Sequence, residues 1–153
     1  MVQRISWPAL TEQAIRAWLA DDDVWRRGDA YRRAGRVRLP RRSAHGLRAV
    51  VYGQAVAPYR VWIRIDAQGI QRAQCTCPVG RDGRCKHVAA VLSLWLHQPG
   101  AFLPLPDWAH RLRDWPAERL RAFAVQVLTR CPEAEAWLLA HEGKDERWEE
   151  TNE

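Results

Sequence analysis

The sequence is poor in several things that would have pointed to a function. It has two lysines and one methionine, and no apolar run approaches the length of a membrane span. The longest such run, Val88 to Leu96, is broken by Ser93, whereas a spanning helix needs about 18 or more apolar residues. No secretory leader opens the chain, so the sequence predicts a soluble cytoplasmic protein without a membrane partner. A glycine-rich phosphate loop is missing too, since Gly80 to Gly83 is too short for one. His45, His97, His110 and His141 show no ligand spacing with each other or with carboxylates. The Asp21-Asp22-Asp23 run reads as helix capping rather than as an acid–base cluster. These absences predict a chain that is not an enzyme and takes no small-molecule substrate.

What is present is arginine. The chain has 22 arginines among its 24 basic residues, and its formal net charge is +6. Genome composition alone can produce such a preference, so its position matters more than its amount. Residues 1–90 carry 17 basic against 7 acidic side chains, and residues 91–153 carry 7 against 11. Arg36, Arg38, Arg41, Arg42 and Arg48 fall in a stretch (26–48) with Asp29 as its one acid. A concentration of this kind suits a nucleic-acid backbone. It also suits a solvated surface whose arginine stems cover apolar area.

The most informative stretch is Cys75-Thr76-Cys77-Pro78-Val79-Gly80-Arg81-Asp82-Gly83-Arg84-Cys85-Lys86-His87, which reads C-x-C, seven residues, C-x-H. Three thiols and an imidazole complete a closed tetrahedral zinc site. Cys75 and Cys77 follow a predicted strand, where residues i and i+2 share a face. Pro78 stops that strand, and Gly80 and Gly83 let the loop turn back. Cys85 and His87 fall at the mouth of a predicted helix, whose free N–H groups favour thiolate over thiol. A disulfide leaves His87 without a role and needs an oxidising compartment that nothing else suggests. Cys–His catalysis leaves two thiols unexplained, and a redox dithiol is more often C-x-x-C. The spacing therefore predicts one structural zinc ion held by Cys75, Cys77, Cys85 and His87.

The run C-x-C-P, a loop, then C-K-H-V-A-A-V-L resembles the SWIM zinc finger family, defined by C-x-C-xn-C-x-H. The likeness is specific from Cys75 to about Trp95. It extends more loosely to Arg27–Val37 and to the strand start at Tyr59-Arg60-Val61. SWIM domains occur on chromatin-remodelling-type ATPases, Mutator-like transposases, recombination factors and ubiquitin-ligase-related proteins, and are taken to bind DNA or protein. The resemblance thus implies a binding module, either for nucleic acid or as an adaptor for a separately encoded helicase-like ATPase.

The remaining pattern predicts an α+β fold. Leu10, Ala14, Ile15, Trp18 and Leu19 make one amphipathic helix of about twelve residues, capped by Ser6 or Thr11. Val24 to Ala34 makes a second, with Gly28 allowing a close neighbour and Gly35 as its stop. Four alternating segments then predict an antiparallel meander: Val37–Leu39 ended by Pro40, Leu47–Val51, Tyr59–Ile65, and Ile70–Cys77 after a turn at Asp66–Gly69. In this reading Tyr59, Val61, Ile63 and Ile65 face the core. Arg60, Trp62 and Arg64 face the other way, in line with Arg36, Arg38 and Arg48. That face is either a base-stacking platform or a surface covered by a helix. Phe102–Pro106 reads as an extended connector. Asp114 to Arg130 reads as a helix with Cys131 closing its apolar stripe as a buried hydrophobe, and Pro132 starts another with Trp137 and Leu138 inward, ended by Gly143. The expected organisation is a finger domain over 1–98, a helical appendix over 99–143 and a frayed tail over 144–153.

Overall fold

The computed structural model describes residues 6–80 and 82–141. Thr11 caps the first helix, α1 (Glu12–Leu19), its hydroxyl accepting from the Ala14 amide at 3.1 Å. This helix is 8 residues long, shorter than the apolar spacing predicts, because residues 7–10 form a turn closed by Leu10 N–H to Trp7 O at 2.9 Å. Ala20 ends it in the left-handed region at φ 58°. Asp21 caps α2 (Asp22–Arg33) by accepting from the Asp23 and Val24 amides, and Gly35, at φ 67°, lies just beyond its end.

The four expected strands form β1 (Val37–Ser43), β2 (Gly46–Val51), β3 (Tyr59–Asp66) and β4 (Gly69–Cys75), each antiparallel to the next. Three details differ from the sequence reading. The last strand stops at Cys75 rather than Cys77, because the Cys75 amide turns to donate to Gly80 O. Pro40 does not end β1; the strand slips register between Arg38 and Arg41, with Leu39 at φ 50° and exposed. A bulge tolerates a residue without an N–H, so the strand resumes after it. The connector after Phe102 is extended, as expected, but it also supplies β5 (Leu103–Pro104), parallel to β1, giving the order β4-β3-β2-β1-β5.

The core lies on one face of this sheet. Leu47, Ala49, Val51, Val61, Ile63, Ile65 and Ala73 point into it and are buried. Against them packs α3 (Lys86–His97), buried continuously from His87 to Trp95. A helix that is apolar all round must be covered on both sides. The sheet covers one side, and α2 with α1 covers the other. Gly28 makes the α2–α3 approach possible: a β-carbon there would stand 2.8 Å from the Ala90 amide nitrogen and would overlap the Ala89 side chain. Beside it, Asp29 accepts from the buried Ser93 hydroxyl at 2.7 Å and from Arg32 at 2.8 Å, and pairs with Arg33 at 2.9 Å. Burial pushes the Asp29 carboxyl up, but the Ser93 hydroxyl and the two guanidiniums outweigh it and hold the group below its ordinary value.

The chain divides into two compact units between Leu105 and Pro106. The second contains α4 (Trp108–Leu112), α5 (Ala117–Arg130) and α6 (Pro132–His141). Here α4 was not expected; Asp107 caps it by accepting from the His110 amide at 2.9 Å. The Asp114 cap is replaced by Pro116 at the start of α5. Cys131 is half-buried rather than buried and forms the C-cap of α5. The inward Trp137, the Gly143 stop and the frayed 144–153 tail lie outside the described residues or side chains. Among the described residues no helix is long and apolar enough to cross a membrane.

Candidate metal centre and the arginine face

β4 ends at Cys75, and the chain turns at once. The Gly80 amide donates to Cys77 O at 3.0 Å, and the Cys75 amide donates to Gly80 O at 3.2 Å. This tight turn brings Cys75 and Cys77 round to one side. It requires glycine at 80 for lack of space: a β-carbon would stand 2.7 Å from Cys75 Cβ and 2.8 Å from Cys77 Sγ. Gly83 is required on two counts: it adopts a left-handed φ of 72°, and a β-carbon there would stand 2.5 Å from Ala73 O. Cys85 is the N-cap of α3, and His87 lies in its first turn.

The two halves meet as the spacing predicts. Ligand atoms of Cys75, Cys77, Cys85 and His87 all lie within 4.8 Å of one another. His87 Nδ1 is 3.7 Å from Cys75 Sγ and 4.0 Å from Cys85 Sγ. A tetrahedron with zinc–sulfur bonds of about 2.3 Å and zinc–nitrogen bonds of about 2.0–2.1 Å separates its ligand atoms by roughly 3.5–3.8 Å, so the group needs little adjustment to grip one ion. The four residues keep only 8, 5, 2 and 4% of their surface, leaving no open coordination position for a substrate. All four cysteines are free thiols, and Cys131 stands outside the group.

The electrostatics fit a thiolate site. The Cys75 thiol, the His87 ring, and the Val88 and His87 amides at the mouth of α3 pull the Cys85 thiol down to about 4 against the opposing effect of burial. Cys75 is pushed up, first by its hydrogen bond to Cys85 and then by burial; burial, then the charge on Cys85, raises Cys77. Three sulfurs so close cannot all carry charge alone, and a dication relieves that repulsion. His87 presents Nδ1 to the sulfurs, and its ring stacks on Tyr59 with centroids 4.3 Å apart while Tyr31 meets it edgewise at 5.6 Å. Among the described residues the buried Nε2 has no hydrogen-bond partner. Nδ1, which faces the Cys75 and Cys85 sulfurs, is thus the nitrogen placed to ligate the ion.

Residues 59–96 match the family model for the SWIM zinc finger. The chain carries a SWIM zinc finger. Its match spans β3, β4, the ligand turn and α3; the looser likeness at Arg27–Val37 falls outside it. Neither the comparison with curated proteins nor that with solved structures gives a match. In this SWIM finger Cys75, Cys77, Cys85 and His87 would hold one zinc ion, which would supply a structural cross-link between β4 and α3.

Two residues beside the ligands fasten the finger to the N-terminal helices, and neither role was legible from residue spacing. Arg84 donates through Nε to Trp18 O at 2.8 Å, with its guanidinium 5.0 Å from the Trp18 ring centroid. Lys86 places its ammonium 4.8 Å from the Tyr31 centroid. Such interactions depend on which helix face packs against the loop, which a linear pattern does not specify.

The outer face of the sheet carries the charge. Arg48 lies opposite Trp62, which lies opposite Gln74; Arg64 lies opposite Arg72. Arg38, Arg48, Arg60, Arg64 and Arg72 are exposed on this face, and Arg41, opposite Arg48, is half-buried with Nη1 donating to Pro40 O. The single carboxylate on these strands, Asp66, sits at the hairpin turn and accepts from the Gln68 amide and Gln71 Nε2. Arg72 was missed because the bulge between Arg64 and Ile65 shifts the pairing. Two expected members sit elsewhere. Arg42, opposite buried Leu47, donates to Phe102 O at 3.0 Å. Arg36 lies 4.9 Å from the Tyr31 centroid and donates to Tyr52 O at 3.3 Å.

Proposed function

We propose that this SWIM zinc finger is a nucleic-acid-binding module, not an enzyme, and that it engages the phosphate backbone of DNA with the outer face of its sheet. The observation that carries the reading is one surface presenting Arg38, Arg41, Arg48, Arg64 and Arg72, where Asp66, the single carboxylate on these strands, lies at the rim and is occupied in a turn. Like charges so concentrated repel one another and lower stability unless an anion neutralises them. Cys75 at the end of β4 and His87 on α3 would share a bound zinc ion, which would hold the strand that carries Arg72 to α3. The test is a salt-titrated binding assay on zinc-loaded protein. Binding is expected to weaken linearly in log affinity as log salt rises, with several phosphates neutralised; affinity that ignores salt, or no binding, contradicts the proposal.

A protein-interaction adaptor is a second reading, favoured by the exposure of Phe123 (49%) and Val125 (61%) on α5. It predicts a defined partner together with weak, salt-insensitive association with DNA.

A further inference from the structure

Trp62 is an anomaly in the sheet. It is a large aromatic residue at the centre of β3, yet it belongs neither to the buried core nor to the hydrophobic residues packed against it. It is half-buried on the charged face. Among the described residues no aromatic ring meets its indole, and no cation lies over it. Its neighbours across the sheet are Arg48 on β2 and Gln74 on β4, both exposed. Along β3, Arg60 and Arg64 stand two residues away on either side, about 6.6–6.8 Å each. An indole is thus set among groups suited to phosphates and base edges.

We infer that this face binds single-stranded rather than duplex nucleic acid, with an unpaired base stacked on Trp62. The inference rests on the nucleic-acid reading above and narrows its ligand. In a duplex both faces of every base are covered by neighbours, and only edges show in the grooves. Reading those edges takes an element that projects into a groove, such as a helix or a two-stranded ribbon. Trp62 lies in the middle of a sheet and is half sunk among its neighbours, so it cannot reach into a groove. A strand with free bases can lay one on the indole while its phosphates run past Arg48, Arg64 and Arg72, as stacking platforms do. Electrostatics alone would favour the duplex, whose charge density is higher. A preference for the single strand therefore reports base stacking.

The experiment uses the zinc-loaded full chain and a labelled thymidine oligonucleotide of about 12 nucleotides, the duplex of the same length, and an abasic strand with the same number of phosphates. At equal salt the thymidine strand is expected to bind about five- to a hundredfold more tightly than the abasic one, the range that one stacked base supplies, and more tightly than the duplex. Trp62→Leu is expected to collapse both differences, and Trp62→Phe to keep part of them, with zinc content measured in each variant. If the Leu variant loses its zinc, the abasic comparison on the unaltered protein still decides. Equal binding of thymidine and abasic strands, or preference for the duplex, overturns the inference while leaving phosphate binding intact. Absence of binding to all three overturns both readings.

Discussion

Gly28 of α2 lies against Ala90 of α3 so closely that a β-carbon at 28 would stand 2.8 Å from the Ala90 amide nitrogen. Two helix backbones that meet at one point cannot absorb a methyl group by moving a side chain. Gly28→Ala is therefore expected to destabilise the zinc-loaded protein by about 1–3 kcal/mol, the usual cost of overpacking, despite the better helix propensity of alanine. Urea denaturation followed by circular dichroism measures it, and an unchanged or raised midpoint would show that the helices separate there at little cost.

Next to that crossing, Asp29 ties α2 to the buried Ser93 and to Arg32. Asp29→Asn is expected to cost about 1–3 kcal/mol at neutral pH, because a hydrogen-bonded charge pair is left with one member. The Asp29 carboxyl is held below its ordinary value, so its contribution is complete above that value and fades as pH falls through the lower, folded one. The stability gap between wild type and variant is thus expected to be constant near neutrality and to shrink below about pH 4. Taking the difference between the two proteins cancels the zinc release they share in acid. A gap that widens on acidification would contradict this assignment.

The ligand turn makes a separate demand. A β-carbon on Gly80 would press on Cys75 and Cys77 together, so Gly80→Ala is expected to move both sulfurs and weaken zinc binding. The outer supports of metal sites commonly carry about 10- to 100-fold in affinity. Competition with a chromophoric chelator reads this out, and wild-type affinity in the variant would mean that the turn has room to relax.

Much of this arrangement could be read from the sequence. The ligands were legible because a strand, a short loop and a helix mouth impose a distinctive spacing on Cys75, Cys77, Cys85 and His87. The inward residues of β2 and β3 were legible because alternation has a period of two. What failed did so where the period breaks. The bulge at Leu39–Pro40 puts Arg41 on the outer face and leaves Arg42 opposite buried Leu47, donating to Phe102 O. A second bulge hid Arg72. The two-residue β5 is defined by its partner rather than by its own residues. A side chain's register cannot be recovered from a pattern that slips by one residue.

These placements divide the arginines into two groups with different expected behaviour. Arg64→Glu together with Arg72→Glu is expected to weaken nucleic-acid binding. It should also flatten the plot of log affinity against log salt by about 0.7–0.9 for each phosphate that is no longer neutralised. Arg42→Gln, which removes a hydrogen bond to the Phe102 carbonyl, is expected to leave that slope unchanged and to lower stability slightly. Equal effects from both groups would mean that net charge, not the sheet face, governs binding.

The central claim is that three sulfurs and one ring nitrogen grip a single zinc ion. X-ray absorption at the zinc edge, combined with metal analysis of protein purified under reducing conditions, tests it most directly. The expected result is about one zinc per chain, with three sulfur ligands near about 2.3 Å and one nitrogen near about 2.0–2.1 Å, the nitrogen being absent in His87→Ala. A cooperatively folded protein that binds no zinc, or zinc with fewer than three sulfurs, would contradict it.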